Sequence, residues 1–192
     1  MAAQAPVARN PVGSTGFFND PGFDFVARST IGYAAQGVID IGQVFATIAR
    51  IKDGDADSWY SAWGTSAEKL HSQAQASLAL GHTETAHRLF LAASESYAQA
   101  VAFADGQTDH TTFAPAFSLQ SECWEAFIDT SASRIERVAV HYEGTTLPGF
   151  LFRPDATGAK STYHLNDRNS RLYKPGRPRR RQECYLWRLR EI

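Results

Sequence analysis

The strongest constraint on how this chain can fold is a change of hydrophobic period part-way along it. In "DADSWYSAWGTSAEKLHSQAQASLALG", Trp59, Trp63, Ala67, Leu70, Ala74 and Leu78 step by four, four, three, four and four, which lines one face of a helix. Asp57 reads as its cap and Gly81 as its left-handed stop. "TETAHRLFLAASESYAQAVAFADG" repeats the device with Ala86, Phe90, Ala93, Tyr97, Ala100 and Ala104. Small alanines opposite large aromatics let two helices approach closely, so the spacing predicts an antiparallel pair. From residue 135 the period becomes two. "RIERVAVHYE" sets Val138, Val140 and Tyr142 against Arg137, Ala139, His141 and Glu143, "GTT" turns the chain, and "LPGFLFRP" returns it.

Other segments fit around this frame. Residues 1–16 hold little to bury and read as a disordered arm. Asp20 followed by Pro21 opens a first helix, with Phe23, Val26, Thr30 and Tyr33 on one face. Ile41, Val44, Phe45, Ile48 and Ile51 mark a second, stopped at Asp53-Gly54, and residues 117–130 a fifth. The expected fold is mainly α, about five helices in an antiparallel arrangement over 17–132, followed by a β-hairpin over 133–158. A lone hairpin is marginal in water, so its strands read as the first two of a larger sheet. The face around Val138, Val140, Phe150 and Phe152 is expected to want cover, which makes self-association an expectation.

Charge divides the chain at nearly the place where patterning ends. Residues 1–159 hold 9 Lys/Arg against 17 Asp/Glu, whereas residues 160–192 hold 10 against 3. Cys123 and Cys184 form no disulfide framework, and no run approaches the ~18 apolar residues of a membrane helix. These features predict a soluble, cytoplasmic protein with no membrane partner.

Three stretches together, "DGDADSWYSAW", "GHTETAHRLFLAASESYAQAVAF" and "IERVAVHYEGTTLPGFLFRP", resemble the N-terminal helical-cap portion of α/β-hydrolases. The resemblance is to pseudooxynicotine-type carbon–carbon bond hydrolases and fungal pigment-pathway polyketide-shortening hydrolases, over about residues 17–158. It implies an incomplete α/β-hydrolase fold. The complete parent would hydrolyse an ester, or a carbon–carbon bond next to a carbonyl, in a small aromatic or polyketide-like substrate, using Ser–His–Asp and no cofactor. The chain has no G-x-S-x-G elbow, so no residue is assigned a catalytic role and the fragment is expected to be inactive. Trp59 and Trp63 are core residues first, and in a complete enzyme are candidates for lining the substrate pocket.

The basic, irregular tail over 159–192 is expected to be frameshifted or truncated. With one permitted codon choice, Ser161–Leu165 read one base out of register gives Arg-Pro-Thr-Ile, which resembles the strand the family places there. Two other readings stand beside this one. The helical hairpin over 58–104 resembles a single tetratricopeptide-like unit, hence a protein-interaction module, although solenoids need about three repeats. The tail interleaves Arg and Lys with Tyr163, Tyr173 and Trp187, as a nucleic-acid arm would.

Metal chemistry finds no pattern. His71, His82, His87, His110, His141 and His164 are scattered and read as surface or helix-end residues. Asp53, Asp55 and Asp57 alternate like a calcium loop but lack its Gly and Glu, so helix capping explains them better. Cys123 reads as a buried small hydrophobe.

Overall fold

The computed structural model describes residues 16–152 and a two-residue strand at 164–165. Residues 1–15 and the rest of the tail, with Cys184 and the expected frame change, lie outside the described residues. Five α-helices come first: α1 (Pro21–Ala35), α2 (Ile41–Ile48), α3 (Ala56–Ala79), α4 (Thr83–Ala100) and α5 (Phe113–Asp129). Two 3-10 turns, Val101–Gly106 and His110–Thr112, join α4 to α5. Three strands follow: β1 (Ile135–Tyr142), β2 (Thr145–Phe152) and β3 (His164–Leu165). The chain divides into two compact units, one ending at Thr130 and the other beginning at Ser131.

Helix starts follow local chemistry closely. The Asp20 carboxylate accepts the Phe23 N–H at 2.8 Å, with Pro21 in the first turn, where its missing N–H costs nothing. Asp40 caps α2 in the same way. At α3 the cap is Asp55, which accepts the Ser58 N–H at 2.9 Å, rather than Asp57. Asp57 sits in the first turn and accepts both the hydroxyl and the backbone N–H of Thr108, the latter at 2.8 Å. These bonds, the hydroxyl's first, hold the Asp57 carboxyl below its usual range. Helix α5 starts four residues before the expected Phe117, because Pro115 falls in its first turn and is no obstacle there.

The core of the helical unit lies between α1, α2, α3 and α4, with α5 adding Cys123. Phe23, Ala27, Val44, Ile48, Trp59, Trp63, Ala67, Leu70, Ala93, Tyr97 and Cys123 form one buried cluster. The alternation of aromatic and alanine works as the spacing predicts as far as Ala74 and Ala100, while Leu78 is exposed and Ala104 lies beyond the end of α4. Helices α3 and α4 run antiparallel, joined at Gly81, whose φ of 77° is the expected left-handed stop. Two expected faces are rotated. On α1 the buried stripe is Phe23, Ala27 and Thr30, leaving Tyr33 exposed, and on α2 Val44, Thr47 and Ile48 go inward while Ile41 and Phe45 stay out. Thr30 and Thr47 are buried without penalty because each hydroxyl donates to the carbonyl one turn back, at 2.8 and 2.9 Å.

The hairpin turns at Glu143-Gly144, both with positive φ (46° and 80°), and Thr145 and Thr146 belong to β2. A two-residue loop with both residues left-handed matches the twist of the strands it joins. Its register pairs Val138 with Gly149, Val140 with Leu147, Arg137 with Phe150 and Ile135 with Phe152. Directly paired residues share a face, so Phe150 and Phe152 lie opposite Val138 and Val140 rather than beside them, which corrects the single apolar face expected. Each face therefore carries apolar residues, as in sheets covered on both sides. In the tail, expected to be irregular, His164 and Leu165 pair antiparallel with Phe152 and Leu151.

Candidate functional site

On α3, Tyr60, Gly64 and Glu68 are spaced at i, i+4 and i+8, one residue round from the buried Trp59–Trp63 stripe. This second stripe forms the edge of a cleft of about 380 Å³ between α3, α4 and α5. Tyr97 and Ala100 of α4 and Ala116 and Leu119 of α5 complete its apolar walls. The space at Gly64 is open: a Cβ at that position would meet nothing within 4 Å.

The cleft carries two phenols with a carboxylate beside them. Burial pushes the Tyr97 hydroxyl up to about 12, helped by the charges of Cys123, Glu68, Glu122 and Tyr60. Tyr60 is raised too, by burial and then by Glu68 and Asp109. Both phenols are therefore neutral donors at any ordinary pH. Apolar walls with two hydroxyls and one carboxylate can hold a flat molecule bearing a few oxygens. Among the described residues no serine hydroxyl hydrogen-bonds a histidine.

Trp59 and Trp63 are both 0% exposed and do not line this cleft. Trp59 sits at the centre of an aromatic cluster, with ring centroids of Phe23 at 4.7 Å, Phe103 at 4.8 Å and Phe18 at 5.9 Å. Its indole N–H donates to the Gln99 carbonyl at 2.7 Å, tying the start of α3 to the end of α4. The Trp63 indole N–H is buried with no partner among the described residues. The two tryptophans thus back the wall whose inner surface belongs to Tyr60 and Tyr97. Tyr60 was legible as a site residue only through the Tyr60–Gly64–Glu68 stripe, which the stronger apolar stripe beside it hides.

The histidines divide between roles. His71 is buried, against its expected surface position, with its ring edge-on to Phe90 and Tyr97 and its Nε2 3.1 Å from the Gln75 amide. His87 stacks on Phe127 at 4.3 Å, and its Nδ1 lies 3.0 Å from the Phe127 carbonyl near the end of α5. His110 and His141 are exposed. Among the described residues no group of three His, Cys, Asp or Glu side chains could hold a metal. Cys123 is wholly buried, and burial raises its thiol to about 12, so it is an inert core residue. No helix among the described residues is long and apolar enough to cross a membrane.

Comparison with known proteins gives a consistent set of relatives. The chain is 30% identical over 133 residues to the alpha/beta hydrolase xenA of Xenoacremonium sinensis, covering 69% of this chain and 31% of that protein. It is 32% identical over 146 residues to the alpha/beta hydrolase psoB of Aspergillus fumigatus, covering 72% and 32%. Among solved structures, the crystal structure of the 2,6-dihydroxy-pseudo-oxynicotine hydrolase superposes with a TM-score of 0.52 at 16% identity. That match covers 66% of this chain and 34% of the other. The chain spans about a third of the length of the curated relatives it matches. No family model matches it.

Proposed function

Since the relatives of this chain are α/β-hydrolases, we propose that residues 17–132 are the helical cap of such an enzyme and that β1 and β2 open its catalytic sheet. The observation that carries this reading is the hairpin: apolar residues on both faces, directly after a finished helical body, suit a sheet with layers on either side.

In the complete parent, the cap roofs a Ser–His–Asp site. The serine oxygen attacks a carbonyl carbon while histidine takes its proton, and backbone N–H groups hold the oxyanion. Histidine then protonates the leaving alcohol or carbanion, and water releases the acyl group. The cleft between α3, α4 and α5 takes the flat part of a small aromatic or polyketide-like substrate. Tyr60 and Tyr97 donate to its oxygens, with Trp59 and Trp63 holding the wall rigid behind them.

The 192 residues contain no G-x-S-x-G, so this chain binds without cleaving. Purified full chain is expected to turn over p-nitrophenyl acetate no faster than buffer. Clear activity abolished by a serine-directed sulfonyl fluoride would overturn the reading. The step from an acidic to a basic composition near residue 160 supports a change of reading frame there. DNA from an independent isolate is expected to restore an Arg-Pro-Thr-Ile strand, and an identical uninterrupted frame through residue 192 would contradict that.

A further inference from the structure

A second groove, meeting the first cleft at Thr65, lies between α2 and α3 and has a different chemistry. Thr65, Lys69 and Gln73 fall four residues apart along one edge of α3 and face Gln43, Thr47 and Arg50 across a groove of about 480 Å³. The Gln43 amide donates to the Ser66 hydroxyl at 3.1 Å, bridging the two helices. The Arg50 guanidinium donates once to the Ala62 carbonyl, at 3.4 Å, which seats it against α3 with its remaining donors unused among the described residues. Lys69 and Gln73 have no hydrogen-bond or ion-pair partner there either.

Charge makes this placement unusual for the helical unit. Only five Lys/Arg occur between residues 16 and 130, in a segment rich in Asp and Glu. Arg28 and Arg88 are each neutralised one turn away, by Asp24 at 2.7 Å and Glu84 at 3.0 Å. Of the remaining three, two converge on this groove, and no carboxylate lines it. The nearby Asp40 is occupied in capping α2 through the Gln43 N–H at 3.0 Å. Arg50 and Lys69 are exposed to solvent, and an anion placed between them would be attracted by both. An arginine fork, a lysine point charge and two amide donors are a suitable set for oxygens carrying two negative charges.

We propose that the groove between α2 and α3 binds a compact dianionic oxyanion, phosphoryl or dicarboxylate, through Arg50 and Lys69. This site shares only Thr65 with the cleft assigned to substrate and does not rest on that assignment. The test uses isotope-labelled full chain, titrated with inorganic phosphate and, in a second arm, succinate, at constant ionic strength. Saturable shifts of the Arg50 Nε–H and the Gln43 and Gln73 side-chain amides, sharing one dissociation constant, are expected in at least one arm. A response to phosphate alone assigns the site to phosphoryl groups, and a response to succinate assigns it to carboxylates. Lys69→Gln, which breaks no internal bond, is expected to weaken binding about tenfold, the scale of one charge-assisted contact. Arg50→Gln should do at least as much, and Arg88→Gln should change nothing. The basic residues 160–192 provide an internal control. Response confined to that segment, or an unchanged titration in Lys69→Gln, overturns the proposal.

Discussion

Trp59 and Trp63 occupy equivalent positions on one stripe, are equally buried, and differ in a single hydrogen bond. Replacing either with Phe removes a similar volume. Trp59→Phe also removes the buried indole bond to the Gln99 carbonyl, whereas Trp63→Phe removes a donor that has no described partner. Trp59→Phe is therefore expected to cost about 1 kcal/mol more in urea unfolding; equal costs would contradict the assigned bond. Tyr97 and Cys123 make a second residue-scale prediction. Both hold their protons to about 12, against 10.0 and 9.0 for the ordinary groups. The unfolded chain thus releases protons first, the native state binds more of them, and stability falls as pH rises through this window. Tyr97→Phe should flatten the decline above about pH 10, read as the urea midpoint against pH. Sequence could show that these residues are apolar-facing. It could not show which indole finds a carbonyl, because Trp59 and Gln99 are forty positions apart and meet only once α3 and α4 pair.

Elements were more legible than their edges. The stripes along α3 and α4 fixed both helices and their pairing, since six apolar positions in step leave little choice of face. Short helices were less determined. On α1 and α2 the inward face turned toward Ala27 and Thr47, away from Tyr33, Ile41 and Phe45, and the Thr30 and Thr47 hydroxyls satisfy themselves locally. The hairpin existed in the sequence, but its faces depended on register. Placing the turn at Glu143-Gly144 rather than "GTT" decides that Phe150 and Val138 point opposite ways. The cleft was hidden for a related reason: one residue of rotation separates Tyr60 from Trp59, and small residues such as Gly64 leave no hydrophobic signature. Gly64 lies inside α3, in open space and without a left-handed φ. Gly64→Ala is expected to stabilise the chain by about 0.5–1 kcal/mol, raising its denaturation midpoint. A loss of stability would mean that the cleft wall is closed against a methyl group.

At the scale of the whole molecule, the two units differ in how their apolar surface is used. The helical unit has a large buried cluster and a smaller one around Ala74, Ala86 and Phe90, with its polar groups largely paired inside. In the hairpin, Gly149 is the one buried residue of β1 and β2, and Val140 and Tyr142 are about two-fifths exposed. This contrast is what the proposed cap joined to the first strands of a sheet predicts. Amide hydrogen exchange on the full chain reads it directly, since protection follows the free energy of opening each segment. Peptides from α3, α4 and α5 are predicted to exchange slowly and together. Peptides from residues 135–152 are predicted to exchange far faster. Strand amides as protected as those of α3 would mean that the sheet is already complete within this chain, and the cap-and-first-strands account would be wrong.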